Sequence, residues 1–131
     1  MLLPQANEGD GVTRERDVRT AAVREPVSLG YPALAEVVRR IVDASHPDRI
    51  ILFGSAARGE VGPDSDSDLL VVKAGVPHRR RFAQDIHMRL SGVGASVDLI
   101  VMTPEDIKAL RDDVGSVVPT VLREGVLVYA A

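Results

Sequence analysis

The chain has 131 residues, 45% hydrophobic and only 3% aromatic, enough for one globular domain with an aliphatic core and too short for a second, substrate-binding domain. A formal charge of −3 disfavours a face built to hold a long nucleic-acid backbone and points to a small nucleotide or a protein partner. The lack of cysteine excludes disulfides, thiolate nucleophiles and cysteine metal sites, and the three histidines complete no zinc-ligand spacing.

Residues 1–30 are polar and charged without a sustained apolar stripe, and are expected to be a disordered or loosely attached extension of a domain spanning 31–131. The opening has no basic segment leading into an apolar stretch of signal-peptide length, and no run is long enough to span a membrane, so a cytoplasmic protein is expected. From Pro32 the pattern changes: Leu34, Val37, Val38, Ile41 and Val42 recur with helical spacing, predicting an amphipathic helix that ends near Ser45, before Pro47. "RIILF" (49–53) is short, β-branched and bounded by turn signals, which predicts a buried strand. Gly54-Ser55 then opens a helical turn, "SAAR", and "GEVGPDS" returns the chain to a second strand over 66–72. A helix is predicted over 77–90, with Phe82, Ile86 and Leu90 on its buried side and a stop at "SGVG". A third strand over 95–102, a helix capped by Thr103 with Pro104 in its first turn, a helix near 114–124 and a last strand "VLVY" complete the order.

The chemistry sits where charge meets these strands. Residues two apart on a strand share a face, so Asp66 and Asp68 project together with their Cα atoms about 6.5 to 7 Å apart. The short link between the first two strands favours antiparallel pairing, which brings Phe53-Gly54-Ser55 level with the two carboxylates. The helix-containing segment between the second and third strands is what a parallel crossover requires, and it places Asp98 beside Asp66 and Asp68 at one end of a mixed sheet, next to a helix start. Three such carboxylates repel one another, and divalent cations relieve that repulsion. The set suits phosphoryl or nucleotidyl transfer: two Mg²⁺ ions, about 3.5 to 4 Å apart, can stabilise attacking and leaving oxygens. Gly54 admits close backbone approach to phosphates, Ser55 and nearby N–H groups can grip them, and Asp98 can take the proton of an attacking hydroxyl.

Gly54-Ser55, ten intervening residues, Asp66-x-Asp68 and the later "VDLI" carrying Asp98 together resemble the DNA polymerase β-like nucleotidyltransferase superfamily, and within it the minimal, MntA-like antitoxins encoded beside HEPN-domain toxins. The likeness runs from about Leu34 to Tyr129 and includes "GSAARG" and the closing "LREGVLVY". It implies an α/β (α+β) fold, a mixed β-sheet flanked by helices. It also implies nucleotide phosphates at Gly54 and Ser55, two Mg²⁺ ions on Asp66 and Asp68, and Asp98 completing one metal site and helping to activate the acceptor. ATP as donor and a tyrosine of a HEPN toxin as acceptor, silenced by AMPylation in a hetero-oligomer, follow from the same resemblance. Two alternatives stand beside it: a non-catalytic module that neutralises its partner by binding, and a transferase acting on a small hydroxylated molecule such as an aminoglycoside.

Other features carry plainer readings. Arg58 is a secondary phosphate candidate, equally placed to pair with Glu60 or Asp64. Asp64 and Ser65 shape the turn before the metal pair. "HRRR" (78–81) reads as a solvated helix start rather than a surface that steers ATP or an acidic partner. His46 and His87 have no partner at catalytic spacing, Gly92-x-Gly94 is a helix stop, and Lys73 lacks the surroundings of a phosphate-loop lysine.

Overall fold

The computed structural model describes residues 23–24, 32–59 and 66–131, and the expected N-terminal extension lies almost wholly outside that range. Helix α1 (Pro32–Ser45) leads into strand β1 (Arg49–Phe53); β2 (Ser67–Val72) follows, then α2 (Arg79–Met88) and β3 (Val97–Met102). Two short helices, α3 (Pro104–Leu110) and α4 (Val118–Glu124), precede β4 (Val126–Ala130). The strands form one mixed sheet in the order β3-β2-β1-β4, with β1 antiparallel to both neighbours and β2 parallel to β3. This is the expected α/β architecture with the expected pairings. Among the described residues no helix is long and apolar enough to cross a membrane.

The strands alternate between two apolar faces, as a sheet covered on both sides must. Ile50, Leu52, Leu69 and Val71 face α1 and α2, packing on Leu34, Val37, Ile41, Ile86 and Leu90. Ile51, Phe53, Leu70 and Val72 face the other way, onto Ile107 of α3 and Val118, Val121 and Leu122 of α4. Each of these side chains has under a tenth of its surface exposed, so a core without tryptophan is closed by interdigitated aliphatic groups.

Local chemistry sets the element ends. The α1 stripe is buried while Arg39 bridges Glu36 and Asp43 on the opposite face, and the helix stops at His46, which takes the left-handed conformation usually given to glycine (φ 48°) before Pro47. Lys73 is a tie rather than a ligand, its ammonium donating to the His46 carbonyl at 2.9 Å. Helix α2 is shorter than the spacing predicts. It starts at Arg79 without a side-chain cap, and tight bonds from the Arg89 and Leu90 amides to the Ile86 and His87 carbonyls close its end. Likewise α4 begins at Val118 rather than near 114, because Asp113 and Ser116 fold residues 113–116 into a turn by accepting from the Gly115 and Val118 amides.

Thr103 caps α3 as expected, and Asp106 completes a reciprocal capping box that the sequence reading did not include. Asp106 also accepts from Arg79 of α2, so one member of "HRRR" is a clasp between helices. That guanidinium holds the Asp106 carboxyl below its usual range, with burial opposing and the Thr103 amide helping. A depressed carboxyl stabilises the fold above its ordinary pKa, and the contribution is lost as pH falls through the lowered value. Asp106→Asn is therefore expected to lower stability by about 1 kcal/mol at neutral pH, the usual worth of a cap. In urea melts the gap from wild type should narrow in acid; a gap that widens there would contradict the assignment.

Candidate active site

The register carries the site. Across β1 and β2, Phe53 stands opposite Asp68; across β2 and β3, Asp68 stands opposite Asp98. Asp66 lies two residues before Asp68 and Ser67 points the other way into the core, so the three carboxylates share the α3/α4 side of the sheet at its open end. Asp66 and Asp98 are exposed and Asp68 is half-buried. Asp68 stands beside Asp98 as the parallel crossover led one to expect, while Asp66 lies one residue before β2 rather than at its start, close enough for its charge to act on Asp68.

Gly54 follows Phe53 directly and closes the cluster from the β1 side. Its φ of +77° lies in the left-handed region, and a Cβ there would run into the Asp68 carboxylate. Two independent constraints thus demand glycine: the turn leaving β1 and room for the carboxylate. After it comes a single helical turn, with the Ala57 and Arg58 amides bonded to the Gly54 carbonyl at 3.1 and 3.3 Å, ending at Gly59 (φ +81°). The expected helix start beside the carboxylates is therefore one turn and not a helix, so it brings no helix dipole. Ser55 sits half-buried at the start of that turn, and among the described residues its hydroxyl finds no partner.

Crowding shows in the electrostatics. Burial pushes the Asp68 carboxyl above its ordinary value, and the charges of Asp98 and then Asp66 push it further. Among the described residues no three Asp, Glu or His side chains already close on one point as a finished cation cage. The donors fit Mg²⁺ nonetheless: all are hard carboxylate oxygens, and the repulsion that raises Asp68 is what a cation between them would remove.

A sequence model of the nucleotidyltransferase domain matches residues 33–128, which takes in every element from α1 to β4. The chain belongs to the nucleotidyltransferase domain family. A solved structure from Sulfolobus solfataricus, assigned as a nucleotidyltransferase, superposes with a TM-score of 0.54 at 18% identity over 95% of this chain and 91% of that one, a likeness of fold. Two toxin–antitoxin structures resemble it more loosely: one with AMP-PNP (TM-score 0.48, 24% identity, 73% of each chain) and a mutant MntA–HpeT (0.49, 22%, 73% of this chain and 72% of that one). Comparison with curated proteins found no match.

Within this nucleotidyltransferase domain Arg58 has a partner the sequence did not suggest. Its guanidinium reaches Glu124 Oε1 at 3.3 Å, tying the Gly54 turn to the end of α4 across 66 residues. Glu60 and Asp64, the partners weighed from sequence, lie outside the described residues. Glu124 is the residue near the site that sequence reasoning missed, and only its place in the closing "LREGVLVY" could have flagged it.

Proposed function

We propose that the domain transfers AMP from ATP to a protein hydroxyl, a tyrosine of a HEPN-type toxin, and so acts in the cytoplasm as its antitoxin. The observation that carries the transfer is the alignment of Asp68 with Asp98 across β2 and β3, beside a Gly54 that can only be glycine. The protein acceptor is supported by the resemblance of "GSAARG", Asp66-x-Asp68 and Asp98 to the MntA-like antitoxins.

In this reading Gly54 and the amides of its turn, with the Ser55 hydroxyl, hold the triphosphate, and Arg58 borders it while anchored by Glu124. Asp66 and Asp68 would hold the cations, with Asp98 contributing to one of them. When bound, Mg²⁺ would neutralise the phosphate charge and favour in-line attack. Asp98 takes the proton of the acceptor hydroxyl as its oxygen bonds to the α-phosphorus, and the bond from that phosphorus to the bridging oxygen breaks to release pyrophosphate. Labelled ATP tests the bond cleaved. Label in the α-phosphate is expected on the acceptor protein and label in the γ-phosphate is not; γ-label on the acceptor would mean phosphoryl transfer and overturn the reading.

A further inference from the structure

The sheet order leaves β3 as an edge among the described residues, and this is the strand that carries Asp98. An open groove of about 450 Å³ runs along it, floored by Val97, Asp98 and Leu99 and walled by Arg80, Gln84 and His87 of α2. The wall carries a cation, Arg80, in a chain that is acidic overall. Arg79 is engaged by Asp106, but Arg80 and Arg81 are exposed and make no ion pair among the described residues. Positive charge in the first turn of a helix opposes the helix dipole, so these two arginines do nothing for α2.

We propose that this edge docks the acceptor: an extended segment of the partner protein adds as a strand beside β3, with its hydroxyl residue opposite Asp98 and acidic residues immediately before and after it. The pattern follows from strand alternation. A residue opposite Asp98 projects to the same face as Asp98, towards the carboxylate cluster, while its two neighbours, opposite Val97 and Leu99, project to the α2 face. There they meet Arg80, Gln84 and His87, a cation flanked by hydrogen-bonding groups that a carboxylate complements. The solvated-face reading of "HRRR" fails only for Arg79, which clasps α3; Arg80 and Arg81 are exposed, and Arg80 borders the groove. The inference rests on the proposed protein acceptor and adds the segment it presents.

The test uses two synthetic peptides of identical composition, each with one tyrosine and two glutamates, the acids directly flanking the tyrosine in one and two positions away in the other. The flanked peptide is expected to bind the full chain about tenfold more tightly, since a correctly placed charge pair is worth that much. It should also slow amide hydrogen exchange along residues 97–102, and Arg80→Glu combined with His87→Glu should abolish the preference. Equal affinities, a preference that survives the double substitution, or unchanged exchange on β3 would each overturn it. Docking of the flanked peptide without AMP transfer from ATP would refute the acceptor chemistry and leave the groove standing; equal transfer to both peptides would do the reverse.

Discussion

Asp66→Asn with Asp68→Asn is expected to lower AMP transfer by about three orders of magnitude or more while making the domain more stable at neutral pH. The sign of the second effect follows from Asp68. A carboxyl whose pKa is raised in the folded chain binds its proton more tightly there than when unfolded. It therefore favours folding at low pH, and that contribution is lost as pH rises from the ordinary carboxylate range through the raised value. At neutral pH the ionised cluster opposes the fold. Removing two of its three charges should raise stability by about 1 kcal/mol, in the range seen when strained active sites are neutralised. Thermal melts should show the variant above wild type without Mg²⁺, and only wild type should be stabilised further by adding Mg²⁺ and ATP. A variant melting below wild type would mean that the carboxylates are fold elements rather than ligands in waiting.

Gly54→Ala is expected to lower transfer about a hundredfold or more. The new Cβ meets the Asp68 carboxylate, which has to move, and a displacement of about 1 Å at a reacting centre commonly costs that much. The left-handed φ adds about 1 kcal/mol of backbone strain. Gly92→Ala separates the two effects, because Gly92 has a similar φ of +79° but nothing within 4 Å of an added Cβ. Both variants should lose similar stability, and only Gly54→Ala should lose activity. If both retain wild-type transfer rates, Asp68 has more freedom than its surroundings suggest.

Much of this site is legible in the sequence because it is built from backbone rules. Period-two alternation put Asp66 and Asp68 on one face, the lengths of the links chose antiparallel and then parallel pairing, and the parallel crossover brought Asp98 level with Asp68. The Gly54-Ser55 turn was legible for the same local reason. What escaped were contacts between residues far apart in sequence. Arg58 finds Glu124 and Arg79 finds Asp106 because α4 and α3 pack on the same side of the sheet as the site, and no periodicity in the chain encodes which side chains then meet. The late start of α4 escaped too, since turn bonds through Asp113 and Ser116 compete with a helix pattern that continues through them. Of "HRRR", only Arg79 departs from the solvated reading, because its partner Asp106 lies on a helix 27 residues away.

In the proposed function, carboxylates gathered by strand register make this domain a cation-dependent AMP transferase. Intact-mass measurement of the proposed HEPN-type partner, after incubation with the chain, ATP and Mg²⁺, tests that reading most directly. The account predicts a gain of whole AMP units that vanishes with a chelator and with Asp66→Asn/Asp68→Asn. An unchanged mass with the wild-type chain, while the partner is still neutralised by binding, would contradict it.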